Sequence, residues 1–385
     1  MRQARKAIFC SALAAATLAC GSALAADVPV AIVVDATGAT SGLFGSVYAG
    51  FRAYAEKLNA AGGVSGQKIK YSLYDAQATL PGAQGAIRQA LGEDPAAIVY
   101  TTRSANFAAV APQIEKAGIP VLTNVAPDSF LYPPKEYIYM PTASAMNNGA
   151  AAVNFARQLA GGSLTGKKVA IIISETPYMR EMLDAIDKMQ AKLGFQLQKV
   201  EAVEMGSVSA ASQAANVART NPDFVIAGIA AGDPPVVIQA LNVAGVNVPV
   251  IGVTSMSAGA IFQRFKLANF YAARDAVFPA DSPMIVEAAK ASATTDKTDN
   301  VFYTHGWIMA ATVEKAMARC APNCTSALVK TALRDLREVA VPGGASFGAL
   351  TFSPTKRDGL ARMQFYRWDA GKNAVAEAGA AVAAQ

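Results

Sequence analysis

From Val28 onward the chain repeats one unit: a short apolar run, a turn, and a longer stretch with helical periodicity. Residues 28–34 read as a buried strand, 44–60 as an amphipathic helix stopped by Gly62-Gly63, and 69–74 as a second strand. The series continues with a helix over 82–91, a strand over 97–100, a helix over 107–117 and a strand over 121–123. Strands that alternate with helices of this length predict a parallel sheet covered on both faces. The apolar fraction of 52% is rich in Ala, Val and Ile, which suits strands buried on both sides.

The pattern then restarts. A helix over 147–159 precedes strands at 168–174, 198–204, 223–228 and 248–252, separated by helices at 178–193, 210–219 and 234–244. Two such series predict two lobes, each with its own sheet. The tail has helices at 284–293, 300–319 and 325–336, then strand-like runs at 349–352 and 364–368 that extend the second lobe. The stretch 129–139, rich in Pro and Tyr, predicts an irregular segment before a crossing between lobes, and the Ala-rich end after Val375 predicts fraying.

The start of the chain points to export. Arg2, Arg5 and Lys6 precede a short apolar run and Ala23-Leu24-Ala25, the pattern of a secretory leader cleaved after residue 25. That run is shorter than the roughly 20 residues a membrane span needs. Cys20 after Thr17-Leu18-Ala19 offers the competing reading of a lipoprotein anchor, although Thr17 stands where lipoproteins usually carry a leucine. A mature product without long apolar runs predicts a periplasmic protein with no membrane insertion. The formal charge of +6 falls to about +3 without the leader, and no Lys/Arg run forms a nucleic-acid footprint. Cys320 and Cys324 are the cysteines left after the leader, and an even pair in an oxidising compartment predicts a disulfide across a tight turn. The alternative of a metal pair lacks companions, because the chain has one histidine. No cofactor or metal is indicated.

Particular segments resemble a known family. They include Val30-Ala31-Ile32-Val33, Thr37-Gly38, the turn from Leu58 through Asn59-Ala60-Ala61-Gly62-Gly63 to Gly66, and Tyr74-Asp75. Further matches run from Glu115 to Val121, over Pro222-Asp223-Phe224-Val225, from Ala240 to Val246 and from Phe347 to Phe352. In this order they resemble the type I periplasmic solute-binding proteins of ABC importers, most closely the leucine/isoleucine/valine-binding branch. The resemblance implies an α/β fold of two lobes, each a mostly parallel sheet flanked by helices, joined by three crossover segments. It divides the chain into a leader (1–25), lobe 1 (26–142 with 280–346) and lobe 2 (143–279 with 347–385). It also implies a small-molecule ligand held by cleft closure, an importer permease as partner, and a monomer.

Carried onto this sequence, the resemblance places the ligand among loops at strand ends. Ser104, with Thr102 and Arg103 beside it, falls where relatives hold a ligand carboxylate. Hydroxyls, a guanidinium and helix-start N–H groups all suit an anion. Ser104 capping a helix that begins near Asn106 is the plainer reading. Asn124 and Ala126 lie on the next loop, where Pro127 replaces a threonine that relatives use. Leu43 and Phe44 lie where relatives touch ligand side chains. Tyr178 falls at an aromatic contact of the second lobe, with covering a helix start as its alternative role. Ala230 stands at a second tyrosine's place, and Thr254 stands where amino-acid binders place an acid to pair with the ligand ammonium. Glu175 and Asp233 are the residues that could restore that charge, although Asp233 before Pro234-Pro235 reads first as a helix cap. A cleft without the acid disfavours an ordinary amino acid and predicts a larger uncharged or anionic ligand, such as an aromatic or other organic acid.

No enzyme constellation emerges. His305, the one histidine, sits among apolar residues and reads as structural. There is no G-x-S-x-G elbow, H-E-x-x-H pair or phosphate loop. The expectation is a binding protein for transport, with branched-chain amino-acid binding or a ligand sensor feeding a signalling partner as the alternatives.

Overall fold

The computed structural model describes residues 26–230, 232–279, 281–291 and 301–383. The expected leader, with Cys10 and Cys20, lies outside these residues.

The first sheet contains β1 (Val28–Val34), β2 (Ile69–Asp75), β3 (Ala97–Thr101), β4 (Val121–Thr123) and β5 (Ile138–Tyr139), in the order β2-β1-β3-β4-β5. Every pairing in it is parallel. Its inner strands are apolar and buried along their length: all five residues of β3 are closed to solvent. Helices α1 (Ser41–Ala60), α2 (Leu80–Gly92) and α3 (Ser104–Ala117) supply the connections. Gly118 ends α3 in the left-handed conformation that glycine adopts without strain.

After α4 (Ala145–Leu159), the second sheet gathers β6 (Lys168–Ser174), β7 (Gln196–Val203), β8 (Phe224–Gly228), β9 (Val250–Gly252) and β10 (Phe270–Arg274). These five run parallel, connected through α5 (Pro177–Leu193), α6 (Ala211–Arg219), α7 (Pro234–Val243) and α8 (Gly259–Phe265). The start of α5 is fixed locally: Thr176 Oγ1 accepts from the Met179 N–H, and Pro177 opens the first turn. The chain then passes α9 (Met284–Ala291), α10 (Val301–Cys320) and α11 (Ser326–Arg334), and returns as β11 (Arg362–Asp369), antiparallel to β10.

The α/β class and its paired sheets agree with expectation, and several details correct it. The Ala-rich end is not frayed where it is described. β12 (Ala374–Glu377) and β13 (Val382–Ala383) both pair antiparallel with β11, because backbone pairing needs no large side chains. Residues 349–352 do not form a strand: Leu350 makes one isolated bridge to Val339, while Leu350 and Phe352 turn into the first sheet's core with Leu360. Phe347 packs instead against the second sheet. α8 and β10 lie where no element was predicted.

α1 and α10 meet through glycines on both sides. A Cβ on Gly50 would lie 1.9 Å from the Tyr303 carbonyl oxygen, and one on Gly306 would lie 1.8 Å from the Val47 carbonyl oxygen. The two helix backbones therefore touch, which sets the rotation of α10 and of everything it carries. A Cys320–Cys324 disulfide, with Cα atoms 5.0 Å apart, closes the turn between α10 and α11.

Candidate functional site

The carboxyl ends of both sheets face one cavity of about 110 Å³. Loops at such strand ends are the usual seat of ligands in open α/β sheets. By the same measure one water needs roughly 10–15 Å³, so the space suits a small organic molecule.

The first wall grows from β3. Thr102 is fully buried and its hydroxyl donates to the Tyr100 hydroxyl at 2.9 Å, so it contributes surface and no spare donor. Ser104 is the first residue of α3, with Arg103 at the cap position and no side-chain cap bond. The plainer reading of Ser104 as a cap is therefore overturned. The hydroxyl stays with the cavity, beside first-turn N–H groups that a helix cannot pair internally. Arg103 spans the cavity mouth, donating to the Ala78 carbonyl oxygen at 3.3 Å and reaching Met205 Sδ of the opposite wall at 3.4 Å.

Phe44 and Asn124 also line this wall, whereas Leu43 and Ala126 do not. Leu43 sits half-exposed on α1, and Ala126 is sealed within the apolar core behind the sheet. Asn124 Nδ2 faces His305 Nδ1 at 3.3 Å, and its Oδ1 is buried without a partner.

The opposite wall is built from Tyr178, Met179, Met205, Ala230, Val253 and Thr254. Asn148 organises it. Its Oδ1 accepts from the Thr254 N–H at 3.1 Å and hydroxyl at 3.0 Å, while Nδ2 donates to the Ser144 carbonyl and the Tyr178 hydroxyl. Tyr178 in turn donates to the Ala143 carbonyl at 3.2 Å. Burial, reinforced by the charges of Asp128 and Asp275, lifts the Tyr178 phenol well above its ordinary range, so it remains a donor.

Two residues offered as substitutes for the missing acid lie elsewhere. Glu175 points outward into an ion pair with Arg180, whose guanidinium holds the carboxyl below its usual range. Asp233 takes the cap position of α7 with proline in the first turn, but its carboxylate makes no cap bond and accepts instead from the Gly206 N–H at 3.1 Å. Neither lines the cavity.

His305 is buried and bonded on both sides, as a structural histidine would be, and it also faces the site. It lines the cavity, and its Nε2 donates to Asp275 Oδ1 at 2.7 Å. Burial pushes the Asp275 carboxyl up, but His305 and the Ala143 N–H outweigh it and hold the group below the ordinary carboxylate range. Asn148, Asp275 and Phe302 are further lining residues that the sequence does not single out. Among the described lining residues, Arg103 is the one arginine or lysine and Asp275 the one carboxylate, and Asp275 is already engaged by His305. No group of three or more His, Cys, Asp or Glu among the described residues could hold a metal ion. No described helix is long and apolar enough to cross a membrane.

A family model described as periplasmic binding protein matches residues 27–373. Comparison with curated proteins returns no match. Among solved structures, the chain is similar to a branched chain amino acid ABC transporter protein from Thermus thermophilus with bound valine. That match has 18% identity and a TM-score of 0.79, over 93% of this chain and 96% of the other. A solute-binding protein from R. palustris in complex with benzoate matches at 16% identity and TM-score 0.75, over 93% and 98% of the two chains. A fatty acid ABC transporter substrate-binding protein from Thermomonospora curvata matches at 18% identity and TM-score 0.77, over 93% and 92%.

Proposed function

The chain belongs to the periplasmic binding protein family, and from that premise we propose that it captures a small organic acid for an ABC importer. The observation that carries this reading is the charge balance of the cavity. Its one lining carboxylate, Asp275, is bonded to His305, while Arg103 contacts a carbonyl and a thioether and has no acid within ion-pair distance, Asp35 and Asp233 feeling its charge from farther off. A ligand ammonium would enter without a counter-charge, which is costly once water is excluded. A carboxylate would meet Arg103, the Ser104 hydroxyl and the first-turn N–H groups of α3.

In this reading Phe44, Met179, Met205 and Phe302 receive the apolar body of the ligand, an aromatic ring being well suited to the sulfur contacts. Thr102, Asn124, Tyr178, Ala230 and Thr254 shape the walls. Lobe 1 comprises 26–142 with 280–346, and lobe 2 comprises 143–279 and the terminal strands. The packing of Leu350, Phe352 and Leu360 on the first core supports placing the last crossing near Leu360. Ligand binding draws the lobes together, and the closed form is what a permease recognises. The exported, periplasmic, monomeric form belongs to the same proposal.

A thermal-shift screen of the chain without residues 1–25 tests it, using amino acids, aromatic acids, short aliphatic acids, amides and sugars. A ligand at a thousand times its Kd stabilises the bound form by about 4 kcal/mol. Shifts with carboxylic acids and none with amino acids are expected. Shifts confined to aliphatic amino acids would overturn the acid reading in favour of branched-chain amino-acid binding.

A further inference from the structure

Each of three connections between the sheets carries a buried aspartate, and all three aspartates converge on residues 143–147 at the start of α4. Asp275, just past β10, accepts from the Ala143 N–H at 2.8 Å. Asp128, upstream of the first crossing, accepts from the Met146 N–H at 2.6 Å. Asp358, upstream of β11, accepts from Asn147 Nδ2 at 2.6 Å. A helix start attracts negative charge, because its N–H groups and dipole point outward.

Only one of the three has a basic side chain in contact, the His305 imidazole on Asp275. Among the described residues no lysine, arginine or histidine pairs with Asp128 or Asp358, and each keeps one carboxyl oxygen buried without a partner. Glu181 adds another carboxylate from α5, accepting from the N–H groups of Asp128 and of Ser129, the latter at 3.0 Å. The other groups facing Asp128 are hydroxyls: Ser144 at the α4 start, Tyr132 and Tyr178. Two buried carboxylates with no basic side chain in contact, and a half-buried third beside them, crowd negative charge at one helix start, which favours a proton on one of them.

We propose that this pivot is proton-sensitive: Asp128 holds a proton while the crossings are seated on α4, and losing it unseats them and parts the lobes. Met146 engages Asp128 Oδ2 alone, and Oδ1 is buried with no donor to stabilise a charge on it. Burial first, then the charges of Glu181 and Asp358, lift the Asp128 carboxyl to about 7 against the pull of the Met146 N–H. A carboxyl raised on folding gives stability that is full below its unfolded range and is lost as the pH climbs through the folded value. For Asp128 that window runs from 3.8 to about 7. The link from the pivot to lobe motion rests on the cleft-closure reading above.

The test uses the full chain and no ligand. With ¹³C-carboxyl aspartate labelling, one resonance should titrate near neutrality and vanish in Asp128→Asn. The radius of gyration from solution scattering should rise between pH 6 and pH 8.5 in the parent chain and stay level in Asp128→Asn. Should that variant not fold, Glu181→Gln serves in its place, and the neutral-range midpoint should move to lower pH. If the resonance lost in Asp128→Asn titrates instead in the ordinary aspartate range near 4, if the parent's radius stays level, or if Asp128→Asn rises as much as the parent, the proposal is overturned. A ligand screen that found no acid would sink the function proposed above without touching the carboxyl titration.

Discussion

The side-chain carbonyl of Asn148 accepts twice from Thr254, from its backbone N–H at 3.1 Å and from its hydroxyl at 3.0 Å. The Asn148 amide group is committed as well, to Ser144 and Tyr178, so Asn148 and Thr254 offer a ligand shape and no spare donor. Thr254→Glu would set a carboxylate beside that committed amide with no cation to answer it. Carboxylate ligands found in the screen should then bind at least about tenfold more weakly, roughly 1.4 kcal/mol, by calorimetry. Unchanged affinity would remove Thr254 from the cleft's charge balance.

Arg103→Ala combined with Ser104→Ala takes away the guanidinium and the hydroxyl at the start of α3. Binding of a carboxylate ligand should be abolished, while thermal unfolding of the empty protein should change little, since neither side chain caps the helix. Calorimetry showing parent-like affinity would place the carboxylate elsewhere.

The Asp275 carboxyl lies below its ordinary range, so it adds stability above its unfolded value and loses that contribution as the pH falls through the folded one. Asp275→Asn should be destabilised at pH 7 by on the order of 3–5 kcal/mol, the usual cost of breaking a buried pair. The difference from the parent should shrink on going to pH 3. Thermal unfolding at the two pH values checks both statements, and a constant difference would mean that the charge of Asp275 contributes nothing.

Gly50→Ala or Gly306→Ala drives a methyl group into a carbonyl oxygen of the facing helix. Either should cost about 3 kcal/mol, the upper end of overpacking, and lower the melting temperature by several degrees. Gly45→Ala on the same helix α1 meets nothing within 4 Å and is the control.

The alternation of strand and helix is readable in the sequence because strands such as β1, β3 and β8 are continuous apolar runs and helices such as α3, α5 and α7 end on a glycine. It becomes unreadable at β10, where Phe270-Tyr271-Ala272-Ala273 ends in Arg274. That guanidinium is fully buried between Tyr366 and Phe262 and bonded to the Ser257 carbonyl, a setting that no local pattern announces. The cavity shows the same division. Arg103, Ser104, Tyr178 and Thr254 follow strands closely enough to be placed from the sequence. Asn148, Asp275 and His305 come from three distant segments whose meeting depends on the crossings and on the α1–α10 contact. Asp233 is half legible: Pro234-Pro235 place it at the α7 cap, but the donor its carboxylate serves, the Gly206 N–H, comes from another loop.

The glycine contact between α1 and α10 gives the cleft two unequal sides. His305 and Phe302 ride on a helix whose backbone already rests on its neighbour, so that side cannot yield to a bulkier guest. Across from it, Met179 and Met205 are unbranched thioethers that change shape at little cost. Variation in the guest should therefore be absorbed on the methionine side. Related acids would lodge with one end in a constant position while their differing ends reshape the sulfur-rich face, which lets one receptor accept a series of compounds instead of a single one.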